Sequence, residues 1–202
     1  MIKTTNRLKK TGEQPIEEIL ALTPLQQGMF FHYLQDPLSD LYCVQLSLNL
    51  AGDIDFDLFQ QSWDRVTQAN EMLRTAFRWE KLANPVQVIL TGYRFEPVYY
   101  DCTGKGAADT EKFLQKIKTA DRGKKFDLRQ VPFRVTLCKL SDDRYEMILS
   151  HHHILFDGWS TGVILKEFAQ AYNELSKRGA GADECPLPLK AQFREFVRGL
   201  QR

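Results

Sequence analysis

The sequence predicts an α/β fold: a two-layer α/β sandwich with a mixed, largely antiparallel sheet. Three observations carry that reading. Tyr42 to Leu50 alternates strictly, with Tyr42, Val44, Leu46, Leu48 and Leu50 on one face and Cys43, Gln45, Ser47 and Asn49 on the other, as a half-buried strand requires. Ile164, Leu165, Phe168, Ala171, Tyr172 and Leu175 form an apolar stripe at helical spacing. Helical and strand patterns interleave irregularly, with no internal repeat and no GxGxxG or GxxxxGK loop, which argues against a nucleotide-binding fold.

The elements follow in order. Residues 1–15 are polar and basic and read as a flexible leader. Thr23 is placed to cap a helix that has Pro24 at its first position and turns Leu25, Met29, Phe30, Tyr33 and Leu34 inward. Asp36-Pro37 ends it, and the alternating strand comes next. Asp55 or Asp57 caps a second helix with the inner stripe Phe59, Trp63, Val66 and Asn70. Leu73 to Trp79, Val86 to Leu90 and Phe95 to Tyr100 read as strands, and Asp109 to about Asp121 as a helix built on Phe113, Leu114 and Ile117. Phe133 to Leu140 and Tyr145 to Ser150 form a hairpin across Ser141-Asp142-Asp143-Arg144. A Gly/Pro-rich linker begins near Lys177, and a short helix with Phe193, Phe196 and Val197 closes the chain.

The chain has 202 residues, 43% of them hydrophobic and 26% charged, enough for one domain with a full core. Twenty-seven Lys and Arg against 26 Asp and Glu leave a net charge of +1, which makes no electrostatic case for nucleic acid or an anionic membrane. No apolar run approaches the roughly 18 residues of a membrane span. The N-terminus lacks the apolar core of a signal peptide, so a cytoplasmic location is expected. Cys43, Cys102, Cys138 and Cys185 form no CxxC pair and read as reduced, semi-buried thiols.

His151, His152 and His153 stand together at a strand end, followed by Ile154-Leu155-Phe156-Asp157-Gly158-Trp159-Ser160. If the strand continued, His151 and His153 would share a face. Asp157-Gly158 is turn chemistry, and Ser160 is placed to cap the next helix. This arrangement sets an imidazole beside outward-pointing backbone N–H groups, the equipment acyl transfer requires. A structural His–Asp pair is the plainer reading. A zinc site would need a third ligand, and the only other histidine is His32, so no metal is expected.

His152-His153-Ile154-Leu155-Phe156-Asp157-Gly158 resembles the HHxxxDG signature of nonribosomal peptide synthetase condensation domains, and Trp159-Ser160 extends the match. Leu22-Thr23-Pro24-Leu25-Gln26-Gln27-Gly28-Met29 is similar to the family's opening helix motif, in the form of the subtype that joins a D-configured donor to an L-configured acceptor. Glu71-Met72-Leu73-Arg74-Thr75-Ala76-Phe77 resembles the second half of RHExLRTxF, with Ala69 and Asn70 where that motif has Arg and His. Phe126-Asp127-Leu128, with Pro132 and Arg134 beyond it, resembles another common stretch of the family.

The resemblance implies a chloramphenicol-acetyltransferase-like lobe over residues 16–178. Residues 179–202 would then be the linker and short helix leading toward an absent C-terminal lobe. In such two-lobed domains the site lies in a tunnel between the lobes. The implied reaction is amide formation between a donor acyl or peptidyl thioester and the amino group of an acceptor aminoacyl thioester. Both substrates ride on phosphopantetheine of carrier proteins; the chain itself binds no cofactor. The implied partners are donor and acceptor peptidyl carrier domains, the C-terminal lobe and an adjacent adenylation domain. His153 would act as base or as the acceptor that orients the amine, and the Gly158 N–H as oxyanion donor. His152 would be structural and His151 an extra residue, solvated or lining the tunnel mouth. Asp157 would be a structural anchor paired with Arg74, or failing that Arg134, since four extended residues put it about 13 Å from His153. Two alternatives remain at this stage: an acyl-CoA-dependent acyltransferase of the same superfamily, and a non-catalytic carrier-docking module.

Overall fold

The structure, a computed structural model, describes residues 2–3, 15–104, 106–178 and 191–200. The capping signal at Thr23 is realised in full. Its hydroxyl accepts the Gln26 N–H, and Gln26 Oε1 accepts the Thr23 N–H at 2.9 Å, a capping box that starts helix α1 (Pro24–Gln35). Asp55 caps α2 (Phe56–Ala69), accepting from the Asp57 and Leu58 N–H groups. The remaining helices are α3 (Ala107–Gly123), α4 (Gly158–Arg178) and α5 (Phe193–Leu200).

The strands are β1 (Ile2–Lys3), β2 (Ile16–Ala21), β3 (Cys43–Ala51), β4 (Thr75–Arg78), β5 (Val86–Leu90), β6 (Val98–Asp101), β7 (Phe133–Lys139) and β8 (Arg144–His152). They form two sheets rather than the single one expected: a five-stranded sheet β1-β6-β7-β8-β3 and a three-stranded sheet β2-β5-β4. After α2 the chain takes a 3-10 turn at Glu71–Arg74 into β4, which pairs back with β5, and β5 carries β2 on its other edge. Among the described residues β6 and β7 pair in parallel and every other pairing is antiparallel. Within the expected leader, the backbone of Ile2–Lys3 pairs with Tyr100 and Tyr99.

The larger sheet buries one face under α1, α2 and α4. Trp63 of α2 sits at the centre with no exposed surface, its ring 4.6 Å from Phe168 of α4 and 5.5 Å from Phe133 of β7. On β8 the pleat turns Tyr145, Met147 and Leu149 into this core and Ile148 to the opposite face, where α3 covers it with Leu114 and Ile117. Cys102 and Cys138 are buried thiols of that second cluster, and burial pushes the Cys138 thiol up; Cys43 is half-buried. Cys185 and most of the expected linker lie outside the described residues.

Leu25 and Leu34, expected to face inward, are exposed along with Phe31, Leu38 and Leu41. The α1 sequence is apolar on more than one side, so periodicity could not tell which face meets the core.

Candidate functional site

Every histidine of the run is fixed by where β8 ends. His151 is the last residue paired on both sides, opposite Val44 of β3 and Phe133 of β7. His152 closes the strand opposite Cys43, and the chain then turns. The His153 N–H donates to the Tyr42 carbonyl at 2.8 Å, and the Leu155 N–H returns to the His152 carbonyl at 3.1 Å. Tyr42 adopts φ +67, a left-handed conformation that is uncommon for a bulky residue, at the point where its carbonyl anchors His153.

The two motif histidines hold opposite tautomers. His152 is 3% exposed, and its Nδ1 accepts the Ile154 N–H at 3.1 Å, so the neutral ring carries its proton on Nε2. His153 Nδ1 lies 2.8 Å from the Phe156 carbonyl. A carbonyl can only accept, so Nδ1–H donates and, in the neutral ring, the lone pair is left on Nε2. His153 is the half-buried member of the three and lines a cleft of about 500 Å³ with Leu25, Met29, Met72, Val163 and Phe196. An unprotonated imidazole nitrogen in an apolar cleft can accept a hydrogen bond, or a proton, from an amine.

Asp157 does something simpler than either expected role. Its carboxylate is exposed and accepts the Ser160 N–H at 2.8 Å, while its carbonyl receives the Thr161 N–H at 3.0 Å. Asp157 is thus the N-cap of α4, and Ser160, the expected cap, is the third helical residue that it serves. The Ser160 N–H holds the carboxyl below the usual aspartate range. By position, the N–H groups of Gly158 and Trp159 are the first-turn donors that lack intrahelical acceptors. Gly158 is exposed and nothing lies within 4 Å of where its Cβ would stand, so the fold itself does not demand a glycine there.

The expected pairing of Asp157 with Arg74 is corrected. Arg74 is buried, and its Nη1 binds Glu17 of β2 and the Leu90 carbonyl of β5 at 2.9 Å, tying the 3-10 turn to the smaller sheet. The Arg74 guanidinium holds the Glu17 carboxyl down. Arg134 is also engaged elsewhere, with Nε 3.0 Å from Asp121 of α3 and Nη2 on the Asp121 and Lys124 carbonyls. Partner choice follows sheet topology: β5 delivers Leu90, and Ile16 opposite it, to the end of the turn that carries Arg74. Asp157 and Arg74 therefore share no hydrogen bond or ion pair. Asp157→Ala should cost about 1 kcal/mol as a lost cap. Arg74→Ala should cost more, though less than the roughly 3–5 kcal/mol of a stranded buried charge, because Glu17 keeps Arg194. Urea denaturation of the double variant should give the sum of the two within about 0.5 kcal/mol; a clear shortfall would restore the pairing.

His151, expected to be solvated, is 1% exposed and stacks on Phe156. The sequence reading also missed residues that hold the loop from outside. Gln26 of the capping box, itself buried, donates through Nε2 to the Ile154 carbonyl at 3.2 Å and to Gln87 at 3.1 Å. Its place in the opening motif was the available signal. Asn70, where the motif has His, donates to the Val66 carbonyl and to Glu167 of α4, joining α2 to α4. Arg194 of α5 binds Glu17, Glu18 and Glu71, and Arg198 binds Glu18, so an acidic cluster on β2 and the 3-10 turn holds α5 against the cleft. Among the described residues no group of three or more His, Cys, Asp and Glu could hold a metal ion, and no helix is long and apolar enough to cross a membrane.

The architecture is that of a known class. The starter condensation domain of rhizomide synthetase matches at a TM-score of 0.77 with 19% identity, over 91% of this chain and 45% of that one. The first condensation domain of the calcium-dependent antibiotic synthetase, in complex with a substrate analogue, gives 0.77 and 20% over 93% and 45%. The chain thus has the fold of a little under half of a solved condensation domain. Its sequence goes further: the condensation-domain family model matches residues 16–202, and the chain belongs to that family of nonribosomal peptide synthetase domains. Bacitracin synthase 1 of Bacillus licheniformis is 32% identical over 188 residues, 93% of this chain and 4% of that one. Tyrocidine synthase 2 of Brevibacillus parabrevis is 34% identical over 192 residues, 95% of this chain and 5% of that one. The chain therefore spans a small part of those synthases and under half of the solved condensation domains.

Proposed function

We propose that this chain is the N-terminal, histidine-bearing lobe of a condensation domain that joins a donor acyl or peptidyl thioester to the amino group of an acceptor aminoacyl thioester. The observation that carries it is His153: it lines the cleft with Nδ1–H tied to the Phe156 carbonyl, which leaves Nε2 as the ring's acceptor. The acceptor amine donates to Nε2, which orients it and receives its proton as the C–N bond forms. The oxyanion of the tetrahedral intermediate is met by N–H groups of the first turn of α4, that of Gly158 foremost. The thiolate of the donor arm leaves. His152 and Asp157 act through the loop, the first by its bond from Ile154 and the second by capping α4.

Both substrates arrive on phosphopantetheine arms, so the partners are donor and acceptor carrier domains, charged by an adenylation domain, and a second lobe. Support for the second lobe is exposed apolar surface: Leu25, which lines the cleft, is 71% exposed, and Trp159 on the first turn of α4 is 90% exposed. The match of Leu22 to Met29 supports a D-configured donor.

The test joins this lobe to its C-terminal lobe and supplies two loaded carriers. The mass of an amide on the acceptor carrier is expected, with the D-donor preferred and none formed by the 202-residue chain alone. Product from soluble acyl-CoA would instead make it an acyl-CoA-dependent acyltransferase, and carrier binding without product would make it a docking module; either overturns the proposal.

A further inference from the structure

His151 stands one residue outside the HHxxxDG match, yet it is among the most buried residues of the chain at 1% exposure. It is clamped in β8 between Val44 and Phe133, and its Nδ1 is buried without a hydrogen-bond partner. A polar ring atom left unpaired in a core costs stability, and an apolar ring would fill the same space without that cost. The fold alone therefore gives no reason for an imidazole here, but it does use a flat ring. The His151 imidazole lies 4.3 Å from the Phe156 ring at an interplanar angle of 25°. Among the described residues Phe156 has one other ring contact, with Phe133 at 6.3 Å and 63°. It is also the residue whose carbonyl accepts the His153 Nδ1–H, and it directly precedes the cap of α4. The His151 and His153 rings are 6.3 Å apart, and Phe156 touches both residues, His151 with its ring and His153 with its carbonyl.

We propose that His151 is a positioning residue: by stacking on Phe156 it holds the Phe156 carbonyl under His153 Nδ1–H and so keeps Nε2 of His153 unprotonated toward the cleft. The proposal rests on the role given to His153, but its content is the tautomer of one ring, which can be read without turnover. Without the flat platform the Phe156 ring repacks, its carbonyl moves, and His153 is free to carry its proton on either nitrogen. Burial keeps the His151 ring uncharged at neutral pH, so it meets Phe156 as an aromatic face.

The test is long-range proton–nitrogen NMR of the 202-residue chain labelled with nitrogen-15 at histidine. In His151→Leu, which keeps volume but loses the flat face, the Nδ1–H to Nε2–H ratio of His153 should fall at least several-fold. In His151→Phe it should return to the original value. His152 should stay Nε2–H throughout, reporting that the fold persists. An unchanged His153 ratio in His151→Leu, or a His151→Phe as altered as His151→Leu, would overturn the proposal. Should His151→Leu fail to fold, Phe156→Leu removes the same stack from its other side, and an unchanged ratio there overturns it equally. Loss of the tautomer preference in these variants alongside undiminished turnover of His153→Ala would leave this inference standing and sink the proposed function.

Discussion

His153→Ala, placed in a condensation domain built on this lobe, is expected to lose about 10²–10⁴-fold in amide formation, the usual worth of a positioned acid–base group. The loss should appear in turnover with folding nearly untouched. The ring is half-buried and makes one side-chain hydrogen bond, to the Phe156 carbonyl, worth about 1 kcal/mol. His153→Gln separates the two ways in which the residue could act. Its side-chain oxygen can accept a hydrogen bond from the amine but cannot take its proton. Activity of His153→Gln well above that of His153→Ala means that orientation carries most of the acceleration, and equal losses mean proton transfer does. Turnover of His153→Ala equal to the parent would remove His153 from the chemistry.

Mild acid should destabilise the chain through its two buried histidines. Burial, with the neighbouring histidines adding to it, pushes His151 and His152 from 6.5 down to about 4. Between those values the unfolded chain binds protons that the folded one refuses, so stability falls with falling pH. The stability is fully present above pH 6.5 and drains toward pH 4, by up to about 1.4 kcal/mol per pH unit for each ring. If both shifts are fully expressed, that amounts to about 3 kcal/mol per ring, and coupling between adjacent rings makes the two steps properties of the pair. Glu17 and Asp157, whose carboxyls are held down, lose their contributions only below their ordinary values of 4.5 and 3.8, whereas burial holds the Asp64 carboxyl up, which opposes the fall in acid. Urea denaturation from pH 7.5 to 4.5 should show the slope, and His151→Phe should remove one proton from it. A flat profile, or one unchanged by that substitution, would contradict the burial of these rings.

What could be read in the sequence was local. Thr23-Pro24, the alternation from Tyr42 to Leu50 and the hairpin around Ser141–Arg144 each state their geometry within a few residues, and the structure has α1, β3 and the β7–β8 pair there. What could not be read was partnership across the chain. β2 escapes a pattern search because the adjacent Glu17 and Glu18 break its alternation, and β2 supplies the partner of Arg74. His151 reads as solvated because nothing in a strand end says that Phe156, five residues on, folds back over it. Leu25 and Leu34 show the same limit from the opposite side, since an apolar position on a helix looks alike whether its cover is the core or another lobe.

The mechanism turns on which nitrogen of His153 is free, and the nitrogen-15 spectrum of the unmodified chain near pH 8 tests that most directly. It should show adjacent histidines in opposite tautomers: His153 protonated on Nδ1 under the Phe156 carbonyl, and His152 protonated on Nε2 with Nδ1 taking the Ile154 N–H. A spectrum in which His153 carries its proton on Nε2 would leave the cleft facing a donor instead of a lone pair, and would contradict the mechanism.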